Sequence, residues 1–515
     1  VSINQINANT NAYIQDAEVE GDTLTLTADD HALDISVISG AASYAGGSKG
    51  SGALAGGYSQ NTIKGSNAAY LSHAIVNAGT VTIDALSGGI IKALSAALGV
   101  STSSKGLGVA GSVTNNRIID QIIKASIDKG SLVNAGRINI TANNAATIQS
   151  LAGAISLSGK AAVGGAIALN RIETALEASI NGSSTTVNTT ESAIVKANSD
   201  AAIETISVGA ALGKSVGISG SVSSNVVNNK TVASIYDGAQ VAAENNVGVI
   251  SENDDRITVA AGSLGIGASA GIGASVVVNN IGSTTKASIE GASTRVNAKA
   301  KNSNDVLTVA NGALSSSIDL GNAVDLENYG KITLKDKKET QTVRGVAVNA
   351  SATQHVEAIA ANVGAGKLGI GITVNVNEIG GNTSALIDGA RINDDSAGVN
   401  AAQQVNVSAS NHAYGNGFAG VVGAGKAGVG AATDVTTISR STTASIKNAS
   451  DVNAKGDLDV EAYSTQGVSS LAVGGAAGAG GVAGTGSLAK FNANTEATIS
   501  NASVTAQTVD VKADS

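Results

Sequence analysis

Ala233-Ser234-Ile235-Tyr236-Asp237-Gly238 holds the reading of the whole chain, because its first three residues keep returning. The same tripeptide form stands at Ala125-Ser126-Ile127, Ala178-Ser179-Ile180, Ala287-Ser288-Ile289, Ala385-Leu386-Ile387, Ala444-Ser445-Ile446 and Ala497-Thr498-Ile499. Looser copies are Ala12-Tyr13-Ile14 and Ala69-Tyr70-Leu71. Counted at the third residue (14, 71, 127, 180, 235, 289, 387, 446 and 499), the steps are 57, 56, 53, 55, 54, 98, 59 and 53. So regular a period describes stacked units, each touching its neighbours. The expectation is one continuous repeat solenoid over residues 1–515, built from units of about 54 residues.

Working outward from the anchor, each unit has the same grammar. A turn follows, Asn181-Gly182 in one copy and Asp237-Gly238 in the next; both dipeptides tolerate positive φ. An alternating strand comes next, as in Ile138-Asn139-Ile140-Thr141-Ala142, Val405-Asn406-Val407-Ser408-Ala409 and Leu458-Asp459-Val460-Glu461-Ala462. Period-two alternation of β-branched and polar residues predicts a half-buried strand. The middle of the unit is different. Residues 203–227 are Gly, Ala, Ser, Val and Ile with almost no charge, broken by Gly213-Lys214-Ser215. Lysines recur at equivalent places: Lys105, Lys160, Lys214, Lys367 and Lys426. They read as structural repeat turns with the ammonium in solvent, where a charge also discourages edge pairing. The flanking strands are apolar on both faces, which leaves two options: both faces covered, or one exposed and adhesive.

Composition agrees with an all-β stack. Two Phe and no Trp require a core of Val, Ile, Leu and Ala, hence a narrow interior. Proline is absent, as a long unbroken ladder requires. The predicted fold is therefore a parallel β-helix, right-handed by the crossover rule. A period of this length divides into about three coils of 18–20 residues, giving roughly 26 coils and a rod near 125 Å. One coil plus a long hairpin per unit is the second arrangement. The 98-residue step marks an insertion, read as a projection over 297–345 that carries the dense charges Lys331, Lys335, Lys337 and Lys338. It is either a partner contact or a solvated excursion.

The chemical motifs are weak. Gly267-Ala268-Ser269-Ala270-Gly271 matches a nucleophile elbow in letters, but that motif needs a helix after it and a histidine partner. Gly364 to Gly369 and Gly423 to Gly428 match Gly-x-Gly-x-x-Gly, yet they recur in repeat register with the turn lysine inside. The four histidines are scattered and cysteine is absent, so no catalytic residue, cofactor or metal is assigned. Asp29-Asp30, Asp254-Asp255 and Asp394-Asp395 read first as solvated pairs, with calcium in a turn as the alternative. Asn115-Asn116, Asn228-Asn229 and Asn279-Asn280 recur in unit register and predict an amide ladder along the stack. With 31 basic against 40 acidic residues, the net charge of −9 argues against nucleic acid and against an anionic membrane as partner. No leader segment opens the chain, so it reads as part of something longer.

The unit as a whole (Ala-Ser-Ile, turn, Val-x-Val-x-Ala, then a Gly/Ala-rich stretch ending near Asn-Asn) resembles repeats of filamentous-haemagglutinin-like exoproteins of two-partner secretion. Within these it is most similar to leukotoxin A-like filamentous adhesins of Gram-negative anaerobes. An autotransporter passenger would look similar. The resemblance implies a secreted, extracellular segment of a bacterial surface adhesin, exported through an outer-membrane transporter and bound to a host-cell or matrix surface or to other copies of itself. It also implies virulence and, as the second reading, a cytotoxin or toxin stalk whose apolar strands enter membrane. A polysaccharide-active enzyme on the same scaffold is the weaker alternative; the first expectation is no enzyme.

Overall fold

The computed structural model describes residues 1–47, 50–314 and 338–515. Among them every regular element is a β-strand. The strands form two parallel sheets that face each other, here called front and back. One unit illustrates the rest. Ala161–Asn181 crosses the front sheet, Thr186–Thr189 forms a short side rung, and Ala193–Gly213 returns across the back sheet. A two-residue bend at Lys214-Ser215 then starts the next front strand, Val216–Val227 continued by Lys230–Tyr236.

The ladder register fixes the coil. Ile180, Ile235, Ile289, Ile387 and Ile446 are successive partners in the front sheet. The repeat anchors thus lie directly above one another, and one repeat is one complete coil. The expected three coils per repeat, with the rod near 125 Å, are replaced by fewer and much broader coils. The reason is strand length: 21 residues, as in Val247–Gly267, against the five or six usual in a strand. Each crosses about 70 Å, while nine stacked front strands rise only about 40 Å at ordinary ladder spacing.

In cross-section the coil is a wedge. At the thick end the front sheet, the short rungs and the back sheet enclose a dry core. Ile180, Ile235 and Ile289 of the front meet Val187, Val241 and Val296 of the rungs and Val195, Val249 and Val348 of the back, all essentially unexposed. The turns closing this end use the expected dipeptides: Asp237 has φ 56° and Gly238 φ 82°, a left-handed conformation open to Gly because it has no Cβ and to Asp because its short polar side chain can hydrogen-bond to the local backbone.

Further along the wedge lies a buried polar layer. Asn61 Nδ2 donates to Asn116 Oδ1 at 2.7 Å, Asn116 to Asn170 at 2.8 Å, Asn170 to Asn225 at 2.8 Å, Asn225 to Asn279 at 2.9 Å, and Asn279 to Asn377 at 2.8 Å. This is the anticipated amide ladder, with one change of membership. In its unit the member is Asn225; Asn229 instead donates to Asp255 Oδ1 at 2.8 Å. The two sheets are also tied by Asn170 Nδ2 donating to Thr205 Oγ1 at 2.8 Å.

Part of the insertion is described. Leu307–Leu314 and Lys338–Val343 pair antiparallel. This stem packs on the outer face of the back sheet, where Leu307, Val309 and Val343 cover Ile250 and Ala347. Asp305 fastens its base, accepting from Ser192 Oγ at 2.8 Å and Asn245 Nδ2 at 2.9 Å.

Candidate functional site at the thin edge

The strand Ala193–Gly213 changes its pattern partway along. From Lys196 to Glu204 its outward residues are Lys196, Asn198, Asp200, Ala202 and Glu204, and its inward ones Ala197, Ser199, Ala201 and Ile203. Beyond this the two faces exchange character. Outward come Ile206, Val208, Ala210 and Leu212; inward come Thr205, Ser207, Gly209, Ala211 and Gly213. The alternation never slips. What changes is which face is apolar.

The inward glycines have a packing cause. A Cβ on Gly265 would overlap the carbonyl oxygen of Ile272 across the interior, and one on Gly271 would overlap that of Ala365. At Gly273 the nearest atom would be the Val363 oxygen at 2.6 Å. The two backbones therefore touch, and no side chain fits between them. Outward glycines on other front strands, Gly111 and Gly165, have open space where a Cβ would stand. The Gly-rich composition is thus the filling of a thin double sheet.

A core this thin buries no large side chain, so the large ones are outside. On the back sheet Ile38, Leu94, Leu151, Ile206, Ala260, Ile359, Phe418 and Leu471 form one unbroken outward row. The front sheet repeats the arrangement with Leu54, Val109, Val163, Ile218, Ile272, Ile370, Val429 and Val482. Ile206 is 46% exposed and Ile218 40%. Several such rows lie side by side on each face, an apolar area well beyond the ~300–600 Å² patch of an ordinary monomer. On the back sheet part of it is concave, a groove of about 520 Å³ floored by Leu94, Leu151, Ile206 and Ile359 and bordered by Lys92, Glu204 and Glu357.

The sequence-derived turn lysines sit along the thin edge. Lys105, Lys160, Lys214, Lys367 and Lys426 are all exposed and occupy the bends that join back to front strands. The bends stack through the backbone: Lys214 N donates to Ser158 O at 3.1 Å, and Lys367 N to Ala268 O at 3.0 Å. Lys331, Lys335 and Lys337 lie outside the described residues; Lys338 begins the second strand of the insertion stem. Comparison of the chain with family models, curated proteins and solved structures finds no match.

The sequence motifs fall into the same bends. Gly267 to Gly271 spans the bend at Ala268-Ser269 and runs on into the strand Ala270–Glu290. A nucleophile elbow requires a helix there. The motifs at Gly364 and Gly423 likewise continue into the strands Leu368–Asp388 and Ala427–Lys447. Among the described residues no three His, Asp or Glu side chains come together as a metal site. Of the acidic pairs, Asp394 meets Arg295 at 3.1 Å, and Asp255 is buried between the sheets, where desolvation pushes its carboxyl up to about 6.

A second concavity, about 880 Å³, lies on the outer front face near the thick end. Two of its carboxylates have partners: Lys286 Nζ stands 2.5 Å from Glu290 Oε1, and Tyr236 OH donates to Glu177 Oε1 at 3.2 Å. Burial, then the Glu177 charge, pushes the Tyr236 phenol up to about 12. Among the described residues the lysines of the thin edge form no ion pair, and its apolar faces are what the sequence left unresolved between covered and adhesive.

Proposed function

We propose that this chain is a length of the repetitive shaft of a large exported bacterial surface protein, attaching through its outer faces to a host-cell or matrix surface or to sister copies. The carrying observation is the stack itself: each repeat is one coil, and equivalent residues lie in register from coil to coil. Such a body gains height by addition, without a pocket that any single coil must complete. Exposed apolar rows supply attachment area, and the absence of cysteine suits passage of an unfolded chain through an outer-membrane transporter. On this reading the chain performs no turnover. The toxin reading draws on the same apolar faces.

The test removes residues 214–267, one period, which joins register-equivalent positions because Gly213 and Gly267 are partners. The shortened chain is expected to fold cooperatively and to coat cultured cells as the parent does. Loss of cell binding by both chains, or collapse of the shortened one, overturns the proposal.

A further inference from the structure

We propose that the thin edge is a lipid-inserting blade, entering an anionic bilayer with its lysine bends leading and both apolar faces in the acyl chains. This rests on the surface-attachment reading and names its target. Three observations carry it.

The first is two-sidedness. Apolar rows cover both outer faces at the same depth, so the occupant must wrap the edge. A fluid hydrocarbon phase does that; a single flat partner covers one side. The band from Ile206 to Leu212 is seven residues, about 23 Å, most of a hydrocarbon core of about 30 Å. Its backbone meets the requirement of that medium, because inner coils are hydrogen-bonded to the coils on either side.

The second is charge. Taking each bend with the apolar rows flanking it, from Ile38 to Leu488, the described residues hold five lysines (105, 160, 214, 367 and 426) and one acid, Asp434. Asp434 points inward, is buried, and accepts from Asn375 Nδ2 at 2.5 Å. From the Ile206 row to the bends the described outer surface of a chain with net charge −9 therefore carries cations alone, and carboxylates begin just short of that row, at Glu204 and Glu357. The whole-chain charge, which argued against an anionic membrane, is an average over two unlike regions. At the far end of a band this deep, the lysines reach with their four-carbon stems to the anionic headgroups of the opposite leaflet, since a charge left in hydrocarbon is costly. A second copy would bring the same lysines, so the edge complements acidic lipid and not itself.

The third is contrast within the molecule. At the thick half, where outward Ile250 and Ala347 form an apolar patch on the back sheet, the chain covers it with its own inserted hairpin. At the thin half the described chain supplies no cover.

The experiment is flotation of the full chain with phosphatidylcholine vesicles, with and without phosphatidylglycerol. Binding is expected with phosphatidylglycerol and at least tenfold weaker without it. Leu151→Ser, Ile206→Ser and Ile359→Ser together, all outward in one row, should abolish binding while circular dichroism stays unchanged. Lys160→Glu, Lys214→Glu, Lys367→Glu and Lys426→Glu should weaken it at least tenfold. A tryptophan at Ile206→Trp should be quenched by brominated acyl chains, and one at Thr141→Trp should not. Failure of the parent chain to float, or equal floating of the serine variant, overturns the proposal. So does lipid-free self-association that the serine variant dissolves, which assigns the faces to a second copy. Cell attachment retained without vesicle binding sinks the blade alone; loss of both sinks the surface-attachment reading as well.

Discussion

The thick and thin ends of the wedge are made from the same strands, yet they invert each other. At the thick end Ile235 and Val249 are inside, with Lys196 and Glu252 outside, 2.8 Å apart. At the thin end Gly265 is inside and Ile266 outside, 37% exposed. The difference teaches that an alternating strand does not declare which of its faces is the core. The facing sheet decides, through the space it leaves.

The sharpest way to break this contrast is to put a side chain where the sheets touch. Gly265→Val should cost more than about 4 kcal/mol or prevent folding, because no rotamer avoids the Ile272 carbonyl. Gly165→Val, facing outward into open space, should stay within about 0.5 kcal/mol. Urea unfolding midpoints compare the two, and similar losses would erase the distinction between faces. The thick core should respond in the opposite sense. Truncation by Ile235→Ala removes volume from a filled interior and should cost about 2–5 kcal/mol. Between the two ends, Asn225→Ala leaves the amides of Asn170 and Asn279 short of a partner and should cost about 1–3 kcal/mol.

A pH series sharpens the polar layer. Burial holds the Asp255 carboxyl near 6, above its ordinary 3.8. The charged form is thus penalised above about pH 6, and the protein gains stability as pH falls from there toward 4. His355 carries the opposite sign: desolvation, aided by Arg256, holds it near 4 against 6.5, so its stability contribution fades over the same acid range. Asp255→Asn should remove the first slope and His355→Gln the second, each by about 1–3 kcal/mol between pH 7 and 4. Equal slopes in parent and variant would remove that residue from the account. The smallest effect belongs to the outer rows, where Ile206→Ser should shift stability by less than about 0.5 kcal/mol.

Much of this architecture was legible in the residues. The anchors at Ile180, Ile235 and Ile289 lie in one ladder, Asp237-Gly238 forms the thick-end turn, and the lysine bends separate back from front strands. Coil size was not legible, because nothing local says that a strand continues for 21 residues when 18–20 would complete a coil of usual size. Nor was the thin edge. Residues 203–227 look apolar on both faces, since Gly and Ala satisfy an inward or an outward position equally well in sequence. The cue available was the asymmetry of size within the alternation, Val208 and Leu212 on one parity and Gly209 and Gly213 on the other. Asn228-Asn229 misled for a related reason: the paired letters match the other units, but the register puts Asn225 in line.

The asparagine row has a direction. Each side-chain amide gives its hydrogen to the next coil toward the C-terminal end, from Asn4 through Asn61 to Asn377, and finally to Thr436 Oγ1 at 3.1 Å. The small dipoles therefore add head to tail, and the two ends of the column are chemically unlike: one asks for a donor, the other for an acceptor. Two such columns joined nose to nose would set like poles against each other, whereas nose to tail they would continue one circuit.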